Sequence, residues 1–146
     1  MKIIWLLIAL VSGAFLPIQA GLNGRLGKAV QSPLHASLIS FIVGAFTVLL
    51  YIVLTRQQVL LSGLRTAPLY VWMGGLLGAF YVTSIILAFP QIGPALTFGI
   101  VVAGQMIMSV LLDHFDILVA ERHPITVWKL LGIVLIVTGV FIIRKF

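Results

Sequence analysis

Apolar side chains run almost uninterrupted through five stretches of the chain, residues 3–20, 34–55, 69–89, 95–112 and 125–143, and the polar residues collect between them. Each stretch approaches the roughly 20 apolar residues that an α-helix needs to cross a bilayer, and none alternates apolar with polar as a transmembrane β-strand does. The pattern predicts an all-α membrane protein with five transmembrane helices in a single transmembrane domain, residues 1–146. Four segments separate the spans: GLNGRLGKAVQSP (21–33), the basic and partly amphipathic RQQVLLSGLRTAP (56–68), the charge-free PQIGP (90–94) and FDILVAERHP (115–124). Two prolines and a glycine in the third stop a helix and remove backbone donors, and Pro124 stands where a fifth helix would begin. Lys2, the apolar run and Ala20 share features with a cleaved leader, but the membranous character of everything downstream favours a retained first span.

Small residues recur every four positions within these stretches. Ala36, Ser40 and Gly44 do so in the second, Gly74 and Gly78 in the third, and Gly99 and Ala103 in the fourth. This spacing puts small side chains on one helix face and lets backbones approach, so these positions are the helix-packing candidates.

Composition sharpens the reading. The chain is 62% hydrophobic and 8% charged, whereas a soluble domain is about 25% charged, which excludes most water-soluble classes. A net charge of +6 would point a soluble protein toward nucleic acid, but these nine basic residues flank apolar runs, where they meet membrane lipid headgroups. No nucleic-acid partner is expected. Without cysteine there is no disulfide, thiol chemistry or sulfur-ligated metal. No HExxH, GxSxG, phosphate loop or dinucleotide fingerprint occurs, and Ser12, Ser40, Ser84 and Ser109 have no base beside them, so neither an enzyme nor a cofactor is expected.

Five spans put the termini on opposite faces of the membrane. One face then receives Lys2, Arg56, Arg65, Arg122 and, by snorkelling, Lys129; the other receives Arg25, Lys28, Arg144 and Lys145. Lys and Arg set orientation by favouring the cytoplasm, and so even a division instructs neither orientation strongly. Insertion in both orientations is the expectation.

Polar side chains within apolar spans are costly and usually face a protein interior or a water-filled path. Gln19 and Asn23 share a face if the first helix continues that far; Gln91 lies between the prolines, and Gln105 deep in the fourth span, one turn before Ser109. Asn23, Gln91 and Gln105 are the substrate-binding candidates, since each amide can both donate and accept. Asp113 and His114, the adjacent acid and imidazole, are the proton-coupling candidates, because histidine changes charge near neutrality. Asp113 could instead cap or anchor the following loop. Asp113, His114, Asp116, Glu121 and His123 are too irregularly spaced to support a metal site. Tyr70 and Tyr81, which share a helix face, are expected to make structural hydrogen bonds.

GLNGRLGKAVQSPLHASLISFIVGAF (21–46), GGLLGAFYVTSIILAFPQIGPALTFGIVVAGQMIMSVLLDHF (74–115) and ERHPITVWKLLGIVLIVTGV (121–140) together resemble the short, five-helix bacterial inner-membrane family of the drug/metabolite transporter superfamily. The family pattern commonly has glycine after LDHF, where this chain has Asp116. The resemblance implies a multi-pass inner-membrane exporter, and the expected solute is a small polar or amphipathic metabolite. Larger superfamily members look like two five-helix halves of opposite orientation. The resemblance thus implies half of an inverted-repeat, ten-helix architecture, completed by an antiparallel homodimer or a paralogous five-helix chain and working by alternating access. Related small multidrug transporters use a glutamate in helix 1; the first span here has no carboxylate, which disfavours export of lipophilic cations by that route. The alternative is a non-enzymatic structural or accessory subunit of another membrane complex.

Overall fold

The computed structural model describes residues 2–58, 63, 66–118 and 123–146. Its elements are helical: α1 (Lys2–Ala29), α2 (Pro33–Leu54), a 3-10 turn (Leu69–Trp72), α3 (Met73–Ile92), α4 (Pro94–Phe115) and α5 (Val127–Lys145). Five segments, with the 3-10 turn counted into the third, are long and apolar enough to cross a membrane. The protein is therefore an all-α membrane protein. Among the described residues the buried apolar side chains are only Ala20, Ala36, Ile85 and Ile86, while Trp5, Leu6, Phe46, Phe80 and Trp128 are exposed. A water-soluble protein would invert that distribution; lipid tails make it stable.

The backbone divides into two compact units, Met1–Gln91 and Ile92–Phe146. In the first, α1 continues past the apolar stretch that ends at residue 20 and runs to Ala29. At about 1.5 Å per residue, its 28 residues extend about 42 Å, against a hydrocarbon thickness of about 30 Å. The final turns, with Arg25 and Lys28 exposed, can therefore reach the headgroups. The chain then reverses within three residues. Val30 N–H donates to Leu26 O (2.9 Å), Ser32 N–H donates to Gly27 O (3.0 Å), and Gln31 adopts a left-handed φ of 52°. These bonds satisfy carbonyls left open at the end of α1. Ser32 caps α2, its Oγ accepting from His35 N–H at 3.2 Å, and Pro33 occupies the first helical position, where a missing donor costs nothing.

Small residues govern the packing at some of the expected positions. A Cβ on Gly27 would lie 3.6 Å from both Ala36 Cβ and Ile86 Cγ2, and Ala36 is fully buried. Gly78 receives the ring of Phe41, 3.6 Å from where its own Cβ would be. Ser40 is half-buried, but Gly44 and Gly74 have nothing within 4 Å of a Cβ. The contacts therefore do not follow the four-residue spacing from end to end.

In the second unit α4 starts immediately after Gly93, the single residue between α3 and α4. Gly93 has φ +79°, a backbone conformation that side-chain-bearing residues rarely adopt, and its carbonyl accepts from both Thr97 N–H (3.1 Å) and Thr97 Oγ1 (2.6 Å). Gln91 thus belongs to the last turn of α3. Further along, α4 meets α5 at Gly99, where a Cβ would stand 3.0 Å from Val140 Cγ2; Ala103, one turn on, is half-buried. Thr126 caps α5 by accepting from Lys129 N–H at 3.3 Å.

The two kinds of glycine should respond differently to substitution. Gly99→Leu should destabilise the α4–α5 pair by about 1–3 kcal/mol through overpacking against Val140, whereas Gly44→Ala should stay within about 0.5 kcal/mol of wild type. Thermal unfolding of both variants in the same detergent checks the contrast.

Candidate functional site

In the first unit, Ala20, Asn23 and Gly27 form the buried face of α1, and Asn23 is 7% exposed. Its side chain makes no hydrogen bond among the described residues. An amide without such a bond keeps its donors and its acceptor available to a ligand or water. Ser37 on α2 is also buried. Thr83 Oγ1 donates to Ser37 Oγ at 2.8 Å, and Ser37 Oγ donates to Pro33 O at 3.1 Å. The hydroxyl of Tyr81 is buried without a hydrogen-bond partner among the described residues, unlike the bonded role expected of it. Gln19 and Gln91 are exposed, and no hydrogen bond joins Asn23 to Gln91.

In the second unit, Gln105 and Ser109 lie one turn apart on α4, both exposed. Asp113 and His114, at the end of this helix, are half-buried and occupied by the α4–α5 connection. Lys129 Nζ lies 3.1 Å from Asp113 Oδ2, with the two side chains 29% and 28% exposed. The same ammonium donates to His123 O at 2.9 Å, and His123 N–H donates to Asp113 O at 3.3 Å. Ile125 N–H donates to His114 Nδ1 at 3.3 Å, a bond that requires this nitrogen to carry no proton. His114 also meets Phe115 edge to face, ring centroids 5.0 Å apart. Lys129 therefore reaches back from the first turn of α5 to the connection, on the side of the span to which the sequence pattern assigned its charge.

Asp116 closes α4 in the left-handed conformation, φ 59° and ψ 39°; its N–H and that of Ile117 both donate to Leu112 O. Glycine is the usual residue for this cap, and aspartate is among the few others that tolerate it. Glu121, and Arg65 and Arg122 of the charge division, lie outside the described residues.

Sequence reasoning missed the Asp113–Lys129 pair and the Thr83–Ser37 bond. They link positions 16 and 46 residues apart, and no periodicity within one helix encodes either. The return of Ser37 to the carbonyl four residues earlier is by contrast a habit of serine in apolar helices that its position allowed.

With membrane-length helices, small-residue contacts and a few internal amides in view, one comparison decides the family. Residues 4–142 match the family described as "Putative inner membrane exporter, YdcZ". The chain belongs to that family. It is accordingly a multi-pass inner-membrane protein of exporter type, and membership of this family points away from an enzyme. No curated protein and no solved structure matches it.

The ion pair at the α4–α5 connection makes a measurable claim. Lys129→Met should destabilise the protein more than Lys129→Met combined with Asp113→Asn, because the single change leaves a half-buried carboxylate without its partner. A double-mutant cycle read by thermal unfolding should give a coupling of about 1 kcal/mol. Additive effects would show that the pair contributes nothing.

Proposed function

We propose that this chain is a secondary transporter that exports a small polar or amphipathic metabolite by alternating access, as one of two oppositely oriented five-helix chains. The observation that carries this reading is the match to an exporter family across residues 4–142, laid over five membrane-length helices. Five spans place the two ends of the chain on opposite faces of the membrane, and a five-to-four division of Lys and Arg leaves orientation weakly instructed. A second copy, or a paralogous five-helix chain, inserted the other way would supply the inverted half that alternating access uses in other transporter folds. In this reading Asn23, Gln91 and Gln105 contact the solute, and Asp113 with His114 carries a coupled proton. Protonation of Asp113 would remove the charge that holds Lys129, which ties proton uptake in this reading to the α4–α5 connection.

Orientation gives the first test. Ala29→Lys with Gln31→Lys, both exposed at the α1–α2 turn, should hold that turn in the cytoplasm; Gln57→Lys with Gln58→Lys, exposed after α2, should do the reverse. Each doubly substituted protein alone should transport poorly, and the two expressed together should recover activity. Terminal reporters on the wild type showing one orientation, in a cell without an oppositely oriented paralogue, would exclude the antiparallel pair.

Proton coupling gives the second. Asp113→Asn and His114→Gln should each flatten the pH dependence of flux in liposomes made from purified protein. If both keep the wild-type profile, the proton takes another path.

A further inference from the structure

The junction of α1, α2 and α3 contains polar chemistry that its own packing leaves unused. On α1, Asn23 lies between two points of close approach by α3. Gly21 is met by the ring of Phe89, 3.9 Å from where a Cβ would stand, and Gly27 is met by Ile86 and Ala36. Asn23 is one turn from Gly27, Ser37 follows Ala36, and Thr83 is about one turn from Ile86. All three polar groups therefore stand within about one helical turn of the Gly27 contact. Among the described residues the Asn23 amide makes no hydrogen bond. The Thr83 hydroxyl spends its proton on Ser37 and Ser37 spends its own on Pro33 O, which leaves the Thr83 oxygen as an acceptor.

From this arrangement we infer that the junction is a subsite for an uncharged hydroxyl or amide group of the transported solute, bound by Asn23 and completed by the Thr83 oxygen. The amide supplies a donor and an acceptor, and the threonine oxygen a second acceptor, a set that matches a neutral group able both to donate and to accept. Charge argues the same way. The buried face of α1 is Ala20, Asn23 and Gly27, and the cations nearest in sequence, Arg25 and Lys28, are exposed. An ion entering this junction would lose its hydration with no buried counter-charge to replace it. The inference deepens the transport reading and rests on it, since it names the part of the solute that Asn23 contacts.

The absence of cysteine allows a direct test on the full chain in membranes. Single Asn23→Cys and Leu22→Cys variants are labelled with three methanethiosulfonates of similar size carrying a neutral hydroxyethyl, a cationic trimethylammonium or an anionic sulfonate group. Rates are normalised to exposed Lys28→Cys. Asn23→Cys should favour the neutral reagent over either charged one by about tenfold or more, reflecting the cost of burying an unpaired ion. The exposed neighbour Leu22→Cys should not share that preference to the same degree. If Asn23→Cys does not fold, Ser37→Cys at the same junction takes its place with the same expectation. No reaction with any reagent, equal rates with all three, or an identical preference at Leu22→Cys would overturn the subsite. Labelling is read without flux, so a negative result here leaves the export assay standing, and a protein that labels as expected but moves no solute counts against the transport reading instead.

Discussion

Inside a bilayer no water is present to bond a free N–H or C=O, so each backbone polar group of a spanning segment must find its partner within the protein. The helices and their ends answer to that requirement. The spans are helices because a helix satisfies its own backbone, and the places where the ladder stops are closed locally. Gly27 and Leu112 carbonyls take back the N–H groups of Ser32 and Ile117, Ser32 and Thr126 accept from the first turns of α2 and α5, and Gly93 O is held twice by Thr97. Side-chain hydroxyls follow the same economy: Thr47, Thr55 and Thr138 each donate to the carbonyl four residues earlier.

Once the backbone is satisfied, the few remaining polar side chains stand out because nothing in lipid can mask them. They separate into two kinds. At the α4–α5 connection, Asp113, Lys129, His123 and His114 are tied to one another or to nearby backbone, which stabilises a particular path of the chain between two helices. Among the described residues, Asn23 on the buried face of α1 makes no side-chain hydrogen bond, and the Tyr81 hydroxyl on α3 is buried without a partner. Satisfied groups specify structure, whereas an amide without a partner in the chain can take up a solute or ordered water.

A five-helix membrane protein has a further constraint. Within each unit, contacts such as Gly27 with Ala36 or Gly99 with Val140 bring backbones close through small residues. In lipid the drive to associate comes from such packing and from polar contacts, because lipid tails solvate leucine as well as another helix does. Extensive exposed apolar surface on α1, α2 and α5 is therefore compatible with a stable membrane protein.

The sequence by itself determined the class, the number of spans and the family. Continuous hydropathy over about 20 residues is a local property, and the LDHF segment lies within a single helix. It also singled out Asn23, Gln105 and Asp113, because an amide or a carboxylate beside so much leucine and valine is conspicuous in any arrangement. Tertiary structure decided what became of them. Asn23 is buried because α1 continues beyond its apolar run and turns Ala20, Asn23 and Gly27 inward together, while Gln91 remains exposed at the end of α3. Asp113 meets Lys129 only because the connection folds back on itself, and the glycine pattern becomes packing at Gly27, Gly78 and Gly99 but open space at Gly44 and Gly74. Periodicity records which residues share a helix face; which face meets another helix depends on the angles and depths at which helices pack, and those are set by side chains far apart in the chain.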